Sequence, residues 1–266
     1  MPLDNSFKSA LRAGRRQTGL WCSLGSNVVT EVLAGSGYDW LLVDAEHSPN
    51  DLLSVLLQAQ AAAAYPTEIV VRLPNHDVSL TKRYLDLGIR SLLIPNVETV
   101  EQARRIVSGT RYPPSGIRGY SAAQRANRYG RVANYHADAS QEIFVAVQVE
   151  TRKASLVAKD LAAVGGVDAI FVGPGDLSAD MGHLGNPGHE SVQQTIRSIL
   201  SLGQAGSSII TGTLTSNEDD AWRYIEWGAK MIALGSDLNL LVKAADGLAR
   251  RFARGVDRHG GLAEPR

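Results

Sequence analysis

The chain has few cysteines, few aromatic residues and no excess of either charge. Cys22 is the only cysteine in 266 residues, which excludes an intrachain disulfide and a thiolate-ligated metal cluster and is typical of a reducing compartment. Basic and acidic residues balance at 27 each, so no global field favours nucleic acid or an anionic membrane. We therefore expect a cytoplasmic protein whose partners are a small molecule and further copies of itself, with no nucleic acid and no membrane.

The sequence also lacks a long apolar segment, an internal linker and any low-complexity region. No hydrophobic run approaches a membrane span, and the basic start, MPLDNSFKSALRAGRR, has no apolar signal-peptide core. Hydrophobic residues still make up 44% of the chain, which is enough to fill a sizeable core. We therefore predict a single domain over residues 1–266, with a polar, glycine-rich tail that is mobile from about residue 256.

Short apolar runs, each followed by a helical pattern, recur along the whole chain. The eight runs are TGLWCSL, DWLLVDAE, TEIVVRLP, RSLLIPNVE, IFVAVQVE, DAIFVGPGDL, SSIITGTL and KMIALGSD. Continuous Val, Ile and Leu, rather than strict alternation, indicates a parallel sheet that is covered on both faces. Eight such units in about 250 residues match the size of a (β/α)8 TIM barrel, which is the fold we predict. A doubly wound open sheet fits the same periodicity.

Polar side chains and glycines stand where several of these runs end. A barrel places its active site at the C-terminal ends of its strands, so these residues are candidates for one common site. They are Trp21, Asp44, Glu46, His47, Arg72, Gln148, Glu150, Gly175, Asp176 and Leu214. Trp21 and Leu214 are most simply core residues, with a role as pocket walls second.

Glu150 and Asp176 end consecutive strands, which would bring two carboxylates side by side. Two bare carboxylates at such a distance repel each other, and a hard divalent cation removes the repulsion. An all-oxygen ligand set suits Mg²⁺ or Mn²⁺, with water or substrate completing the coordination. Two alternatives remain open: each acid caps a helix or pairs with an arginine, or the two serve as acid and base of a glycosidase.

Two further groups near these acids indicate chemistry on an anionic or carbonyl compound. His47 lies beside two acids, and Arg72 is expected at the end of the adjacent strand, an arrangement that favours a general base and a donor to a keto oxygen or oxyanion. The alternatives are an ordinary rim histidine and an arginine paired with Asp44 or Glu46. The glycines before Asp176 open a helix whose free amides suit a carboxylate, although the spacing is not that of a P-loop.

Taken together, these motifs resemble the HpcH/HpaI aldolase family, and in particular its metal-dependent pyruvate aldolases. The resemblance extends from Asn5 to about Arg254. It rests on the segments NSFKSALRAGR, GLW, LAGSGYDWLLVDAEHSPND, VVRLP, LLIPNVET, TRYPPSGIRG, VQVET and GVDAIFVGPGDLSADMG. It implies a barrel enzyme that reversibly cleaves 4-hydroxy-2-oxo acids to pyruvate and an aldehyde, through a pyruvate enolate stabilised by Mg²⁺, Mn²⁺ or Co²⁺.

The resemblance also implies roles for individual residues. His47 corresponds to the catalytic base and Arg72 to the residue that steadies the enolate. Gln148 corresponds to a substrate contact, Glu150 and Asp176 to the metal ligands, and the Gly175 and Asp176 amides to the site of the pyruvate carboxylate. Asp86, in LDLG, corresponds to an acid that raises the basicity of the histidine. Because Asp86 is expected at the opposite end of its own barrel, we infer that a neighbouring subunit supplies it, and Asp44 is the local candidate for the same role.

The family further implies a homohexamer in which the last helix, around DLNLLVKAADGLARRFA, packs on a partner barrel. Two segments depart from the best-known diacid aldolase, RLPNHD and GYSAAQRANRYG, and the second belongs to the long segment 111–140 that we expect near the mouth. These departures concern the aldehyde more than the chemistry. Three other functions remain as alternatives: a Schiff-base aldolase that needs a lysine at the mouth, an acyl-CoA-ester lyase, and an oxo-acid-binding barrel without turnover.

Overall fold

A closed barrel of eight parallel strands forms the centre of the computed structural model, which describes residues 4–204 and 206–253. Each strand pairs with the next in sequence, and the last pairs with the first. The strands are β1 Gln17–Cys22, β2 Trp40–Asp44, β3 Glu68–Arg72, β4 Ser91–Ile94, β5 Phe144–Val149, β6 Ala169–Val172, β7 Ile210–Thr215 and β8 Met231–Ser236. Six of the eight fall within a predicted run, and β1 and β7 each extend one residue beyond theirs, so the barrel prediction is confirmed and the open-sheet alternative is wrong.

Helices follow the strands and cover the outside of the barrel. They are α1 Ser6–Arg12, α2 Asn27–Ala34, α3 Leu52–Ala61, α4 Val78–Asp86, α5 Val100–Gly109, α6 Tyr135–Glu142, α7 Arg152–Leu156, α8 Ala158–Ala162, α9 Pro174–Asp180, α10 Glu190–Leu200, α11 Glu218–Glu226 and α12 Asp237–Ala253. Side-chain caps begin several of them: the carboxylate of Asp51 accepts from the amides of Leu53 and Ser54, and Thr99 forms a capping box with Gln102. The chemistry of these caps sets where the strand-to-helix loops end.

The barrel interior is packed with apolar side chains and is closed at the N-terminal end of the strands. Phe7 and Leu11 of α1 belong to the same buried cluster as Trp40 and Phe144, and the Phe7 ring lies edge-on to Phe144 at 5.2 Å. Gly19 makes room for the Trp40 indole, because a Cβ at this position would lie 2.3 Å from that ring. With this end of the interior filled, a ligand would reach the strand ends from the opposite mouth.

The last helix, α12, differs from the others because nearly all of its side chains are exposed. Among its described side chains only Asp237, at the start, is buried, and its apolar residues Leu238, Leu240, Leu241, Val242, Leu248 and Phe252 are exposed. In the described residues we find no helix whose length and hydrophobicity would allow it to cross a bilayer. The tail from residue 256 lies outside the described residues.

The long segment 111–140 lies at the end of the barrel opposite the mouth, so our expectation that it lies near its own mouth is wrong. The reason is topological: α5 returns the chain to the N-terminal ends of the strands before this segment begins. Arg125 donates to the carbonyl of Leu87, ahead of β4, and Arg118 pairs with Asp86 at the end of α4. The segment therefore cannot contact an aldehyde bound in the same chain.

Candidate active site

Arg72, the last residue of β3, is held by two acids that follow β2. Its Nε and Nη2 donate to the two carboxylate oxygens of Asp44 at 2.9 and 2.6 Å, and its Nη1 lies 2.9 Å from Oε2 of Glu46. Two of the five N–H groups of the guanidinium donate to Asp44, whereas Nη1 meets Glu46 as an ion pair without hydrogen-bond geometry. The other N–H groups donate to no protein acceptor within the described residues and remain for a ligand. Arg72 is buried, and its Cζ lies 5.1 Å from the centroid of the Trp21 ring. The arginine is therefore fixed in place before any ligand binds.

Asp44 serves this arginine and the local main chain rather than the histidine ring. Besides Arg72, its oxygens accept from Nε1 of Trp21 at 3.2 Å and from the amides of Glu46 and His47 at 3.0 and 3.3 Å. Burial acts to raise the pKa of Asp44, but the hydrogen bonds and charge of Arg72 and the two amides outweigh it and lower this pKa. Asp44 is thus an ionised anchor whose contact with His47 passes through the backbone.

His47 lies at the rim of the mouth, with its side chain 64% exposed. The carboxylate nearest to its ring is that of Glu46, with Nε2 and Oε2 3.8 Å apart. Burial, followed by the charges of Asp44 and Asp176, raises the pKa of Glu46 even though Arg72 and His47 act to lower it. The imidazole is free to meet a substrate that enters from solvent.

Glu150 follows β5 and is a buried carboxylate that forms no salt bridge with the residues the structure describes. Its Oε1 accepts from the backbone amide of Asn96 at 2.8 Å, and its Oε2 accepts from Nε2 of Gln148. Burial raises its pKa to about 7; the charges of Asp176 and Glu46 also raise it, while the Asn96 amide and Arg72 act to lower it. A carboxylate in this state is prepared to exchange a proton for a cation.

Asp176 lies on the first turn of α9, close enough for its charge to act on Glu150, and both acids follow strand ends at the same mouth. Gly173, which precedes α9, packs against the Glu150 side chain, and a Cβ there would lie 2.8 Å from Oε2 of Glu150. Gly175 and Asp176 are exposed, and amides in the first turn of a helix have no partner within it. The end of β6 therefore presents an acid and free amide donors side by side.

The donor set of this mouth fits a divalent cation that is also held by water or substrate. Within residues 4–204 and 206–253, no three His, Cys, Asp or Glu side chains are grouped closely enough to hold an ion alone. Two carboxylates remain, Glu150 and Asp176, and Oε1 of Gln148 is buried without a hydrogen-bond partner in the same part of the chain. Oxygen donors with open coordination positions suit Mg²⁺ or Mn²⁺, which retain water or bind substrate oxygens.

Trp21 and Leu214 form part of the floor of the mouth. Both lie in, or pack on, the buried cluster that fills the barrel, and the Trp21 ring lies 5.9 Å from that of Phe171. Leu214 is half-buried near the end of β7. This packing confirms the core role expected from the sequence, and the role as pocket walls stays a prediction.

Asp86 does not reach this mouth within its own chain. It ends α4 at the far end of the barrel, where Nη2 of Arg118 donates to its carboxylate at 2.8 Å. Arg118 is fully buried and also lies 4.5 Å from the Tyr112 ring. Any contact between Asp86 and His47 therefore requires a second subunit.

Asn96 belongs to the site, although the sequence analysis did not single it out. Its amide binds Glu150 and its side-chain Nδ2 lies 3.4 Å from Oε1 of Glu46, with a backbone φ of 55°. The available signal was its position: asparagine tolerates a left-handed backbone, and here it follows the proline that ends the β4 run. The pairing of Arg72 with Asp44 or Glu46, one of the alternatives from the sequence, is present in the structure with both acids.

The chain is similar to known proteins over most of its length. The family model described as HpcH/HpaI aldolase/citrate lyase matches residues 17–244. A protein of Shigella sonnei named 4-hydroxy-2-oxo-heptane-1,7-dioate aldolase is 48% identical over 252 residues, which cover 94% of this chain and 95% of the relative. A Klebsiella pneumoniae protein of the same name is 49% identical, covering 94% of each chain.

A solved structure shows the same likeness in three dimensions. The crystal structure of a HpcH/HpaI aldolase/citrate lyase family protein from Burkholderia cenocepacia superposes with a TM-score of 0.90 at 38% identity. The superposition covers 94% of this chain and 99% of that one, so barrel and connections correspond over nearly the full length.

Proposed function

Because the chain belongs to the HpcH/HpaI aldolase/citrate lyase family, we propose that it is a metal-dependent aldolase that reversibly cleaves 4-hydroxy-2-oxo acids to pyruvate and an aldehyde. The observation that carries the proposal is the placement of Glu150 and Asp176 at one mouth with Arg72 and His47. The names of the relatives make 4-hydroxy-2-oxoheptanedioate the first substrate to test.

The site residues divide the reaction between them. Glu150 and Asp176 would hold the cation, and the amides of Gly175 and Asp176 receive the carboxylate of the 2-oxo acid. The cation, when bound, supplies Lewis acidity at the keto oxygen. The N–H groups of Arg72 that do not bind Asp44 support the same role, because a fixed guanidinium stabilises negative charge that grows on that oxygen during bond cleavage.

Proton transfer falls to His47. In the cleavage direction it accepts the proton of the 4-hydroxyl, directly or through water, while the bond between C3 and C4 breaks and its electron pair moves toward the keto oxygen. The aldehyde leaves, and protonation of C3 of the enolate completes pyruvate. In the synthetic direction the same groups remove a proton from the pyruvate methyl group.

The Schiff-base alternative has no lysine in a suitable position within the described residues. None of their lysines lies on a strand: Lys230 precedes β8 at the closed end of the barrel, Lys82 is on α4, and Lys153 is on α7, where its Nζ pairs with Glu98 at 2.9 Å. Reduction with borohydride in the presence of pyruvate should therefore leave the protein unlabelled.

One assay tests the proposed function directly. The purified protein is stripped with EDTA and then incubated with 4-hydroxy-2-oxoheptanedioate, with pyruvate release followed after addition of Mg²⁺, Mn²⁺ or Co²⁺. We expect release only with added cation. Undiminished release in EDTA would contradict the metal requirement, and preference for a CoA thioester over the free acid would favour the acyl-CoA lyase.

The pH dependence of cation binding should follow the pKa of Glu150, which burial raises to about 7. Below that pH the cation must displace a proton, so its dissociation constant should increase up to about tenfold for each pH unit, whereas above it the constant should level off. Isothermal titration calorimetry in buffers of different ionisation enthalpy measures both the constant and the released proton. A constant that is flat from pH 5.5 to 8 would contradict this prediction.

We also propose a homo-oligomer, with a hexamer as the expected form. The support is α12, whose apolar side chains have no packing partner within the described part of the chain. A helix with such an exposed face is stabilised when a partner barrel covers it. In this arrangement Asp86 acts at the mouth of a neighbouring subunit, where it would face His47.

Mixed oligomers test the proposed role of Asp86. Asp86→Asn and His47→Ala subunits should each be nearly inactive alone, and unfolding and refolding them together should restore activity. The restoration is expected because some mouths then combine an intact His47 from one subunit with an intact Asp86 from another. If Asp86 serves only to hold Arg118, the mixture will be no more active than its parents.

A further inference from the structure

We propose that Asn96 is a positioning residue that holds the cation ligand Glu150 and the Arg72 partner Glu46 in register across the mouth. The inference rests on the proposed function, since it concerns the same cation site. It starts from an unusual backbone: Asn96 has φ 55°, in the left-handed region that L side chains other than asparagine and aspartate rarely adopt.

The conformation of Asn96 directs two groups of one residue toward two different acids. Its backbone amide donates to Oε1 of Glu150 at 2.8 Å, and its Nδ2 lies 3.4 Å from Oε1 of Glu46. The hydrogen bond from the backbone amide is short, whereas the side-chain contact is at the long end of the hydrogen-bond range. The backbone therefore fixes Glu150 firmly, and the side chain guides Glu46 weakly.

The position of Asn96 explains why it can act on both acids. It lies in the loop after β4, between β5, which Glu150 follows, and β3, which ends in Arg72. Val97, the next residue, is buried and its amide donates to the carbonyl of Gln148 at 3.4 Å, which ties this loop to β5. The loop thus completes a line of contacts from Asp44 through Arg72, Glu46 and Asn96 to Glu150.

The hydrogen bond from the Asn96 amide orients the carboxylate of Glu150 for cation binding. Glu150 is buried among other acids, so its carboxylate depends on the few donors that reach it, and of these the Asn96 amide is the one from the main chain. A main-chain donor cannot rotate away as a side chain can. A backbone that keeps φ positive at residue 96 therefore keeps one oxygen of Glu150 pointing in a constant direction, ready to bind the cation with the other.

Two substitutions separate the backbone contribution from that of the side chain. Asn96→Gly keeps the left-handed backbone and the amide but removes Nδ2. Asn96→Ala also removes Nδ2 and adds a strain that is relieved when the amide turns away from Glu150. We expect Asn96→Ala to weaken Mn²⁺ binding about five- to tenfold, the equilibrium equivalent of that strain. Asn96→Gly should stay within about twofold of wild type in Mn²⁺ affinity and lose about threefold in kcat.

The matched control is Asn134, which has nearly the same backbone, φ 58°, but lies before α6 in the segment at the closed end of the barrel. Asn134→Ala should lower the melting temperature as Asn96→Ala does and leave Mn²⁺ affinity and kcat unchanged. Melting temperature, Mn²⁺ affinity by calorimetry and deuterium exchange into pyruvate are measured on all four proteins in their full-length form.

The outcomes distinguish the inference from the function on which it rests. If the wild-type protein binds no Mn²⁺ and exchanges no deuterium, the proposed function fails. If the wild type does both and Asn96→Ala binds Mn²⁺ as well as wild type does, or no worse than Asn96→Gly, the inference about Asn96 is overturned while the function stands. An equal loss of affinity in Asn134→Ala would also overturn it.

Discussion

Replacing Glu150 with glutamine should abolish cation-dependent chemistry while leaving the fold intact. Glutamine has the size of glutamate and can still accept from the Asn96 amide, but it lacks the charge that holds a divalent cation. Loss of an outer partner of a metal ligand costs roughly 10–100-fold in affinity, so loss of a ligand's charge should cost at least about 100-fold. Deuterium exchange into the pyruvate methyl group should fall about 100- to 1000-fold.

Although Glu150→Gln should lose activity, it should increase the folding stability of the metal-free protein. The pKa of Glu150 is raised to about 7 in the folded protein from an ordinary 4.5. An acid whose folded pKa is raised makes the metal-free protein lose stability as pH increases from about 4.5 to 7, and above 7 the whole deficit, about 3 kcal/mol, is present. Without cation at pH 8, Glu150→Gln should therefore melt at a higher temperature than wild type.

The control for this experiment is Glu98→Gln, which makes the same change on the same side of the mouth. Glu98 pairs with Lys153 at 2.9 Å and accepts from Thr151, so it already has partners outside the mouth. Its substitution should leave cation affinity and deuterium exchange unchanged. Full exchange in Glu150→Gln, or equal losses in the two variants, would remove Glu150 from the mechanism.

The strands and the residues at their ends were predictable because both depend on local physics. A run such as Trp40-Leu41-Leu42-Val43 must be buried on both faces, and all four residues are fully buried in the barrel. Eight such runs leave few ways to cover the sheet, and a closed barrel then brings the residues that follow the strands to one rim. That Glu150, Gln148 and Arg72 lie at the same rim follows from the number of strands alone, without knowledge of any side-chain contact.

The sequence could give the partners of individual side chains only as alternatives, such as Arg72 with Asp44 or Glu46, because rotamers are chosen in three dimensions. Asp44 was the local candidate to support His47, yet its carboxylate turns inward to a guanidinium and an indole. A buried carboxylate gains more from the fixed charge of Arg72 than from an exposed imidazole at the rim. The left-handed backbone of Asn96 is similarly imposed by the loop, and asparagine adopts this conformation with less strain than most residues.

The position of the long segment 111–140 shows a further limit of reasoning from connection length. A long connection in a barrel is often functional, but its length does not say at which end it lies. The direction of the preceding helix decides this, and α5 runs from the C-terminal end of β4 back to the closed end of the barrel. Asp86 posed the same geometric question, and there the position of α4 correctly indicated the far end of the barrel.

Replacing Arg72 with lysine should reduce kcat about 100- to 1000-fold with a small effect on cation affinity. Lysine keeps the positive charge but not the planar fork, so it cannot bind Asp44 in two places, contact Glu46 and still offer an N–H group to the keto oxygen. Removing a fixed donor to a developing oxyanion costs about 3–4 kcal/mol in transition-state energy. Because Glu150 and Asp176 are retained, the metal site itself should survive.

Two companion variants make the result specific. Arg72→Ala leaves Asp44 buried without its cation, which should cost about 3–5 kcal/mol of folding stability, so this variant should be hard to obtain in soluble form. Arg90→Lys disrupts a comparable pair, Arg90 with Glu68 at 2.9 Å, at the closed end of the barrel. It should lose stability without losing kcat. A wild-type kcat in Arg72→Lys, or an equal loss in Arg90→Lys, would show that Arg72 supports the fold and not the enolate, because only a donor at the mouth acts on the reacting oxygen.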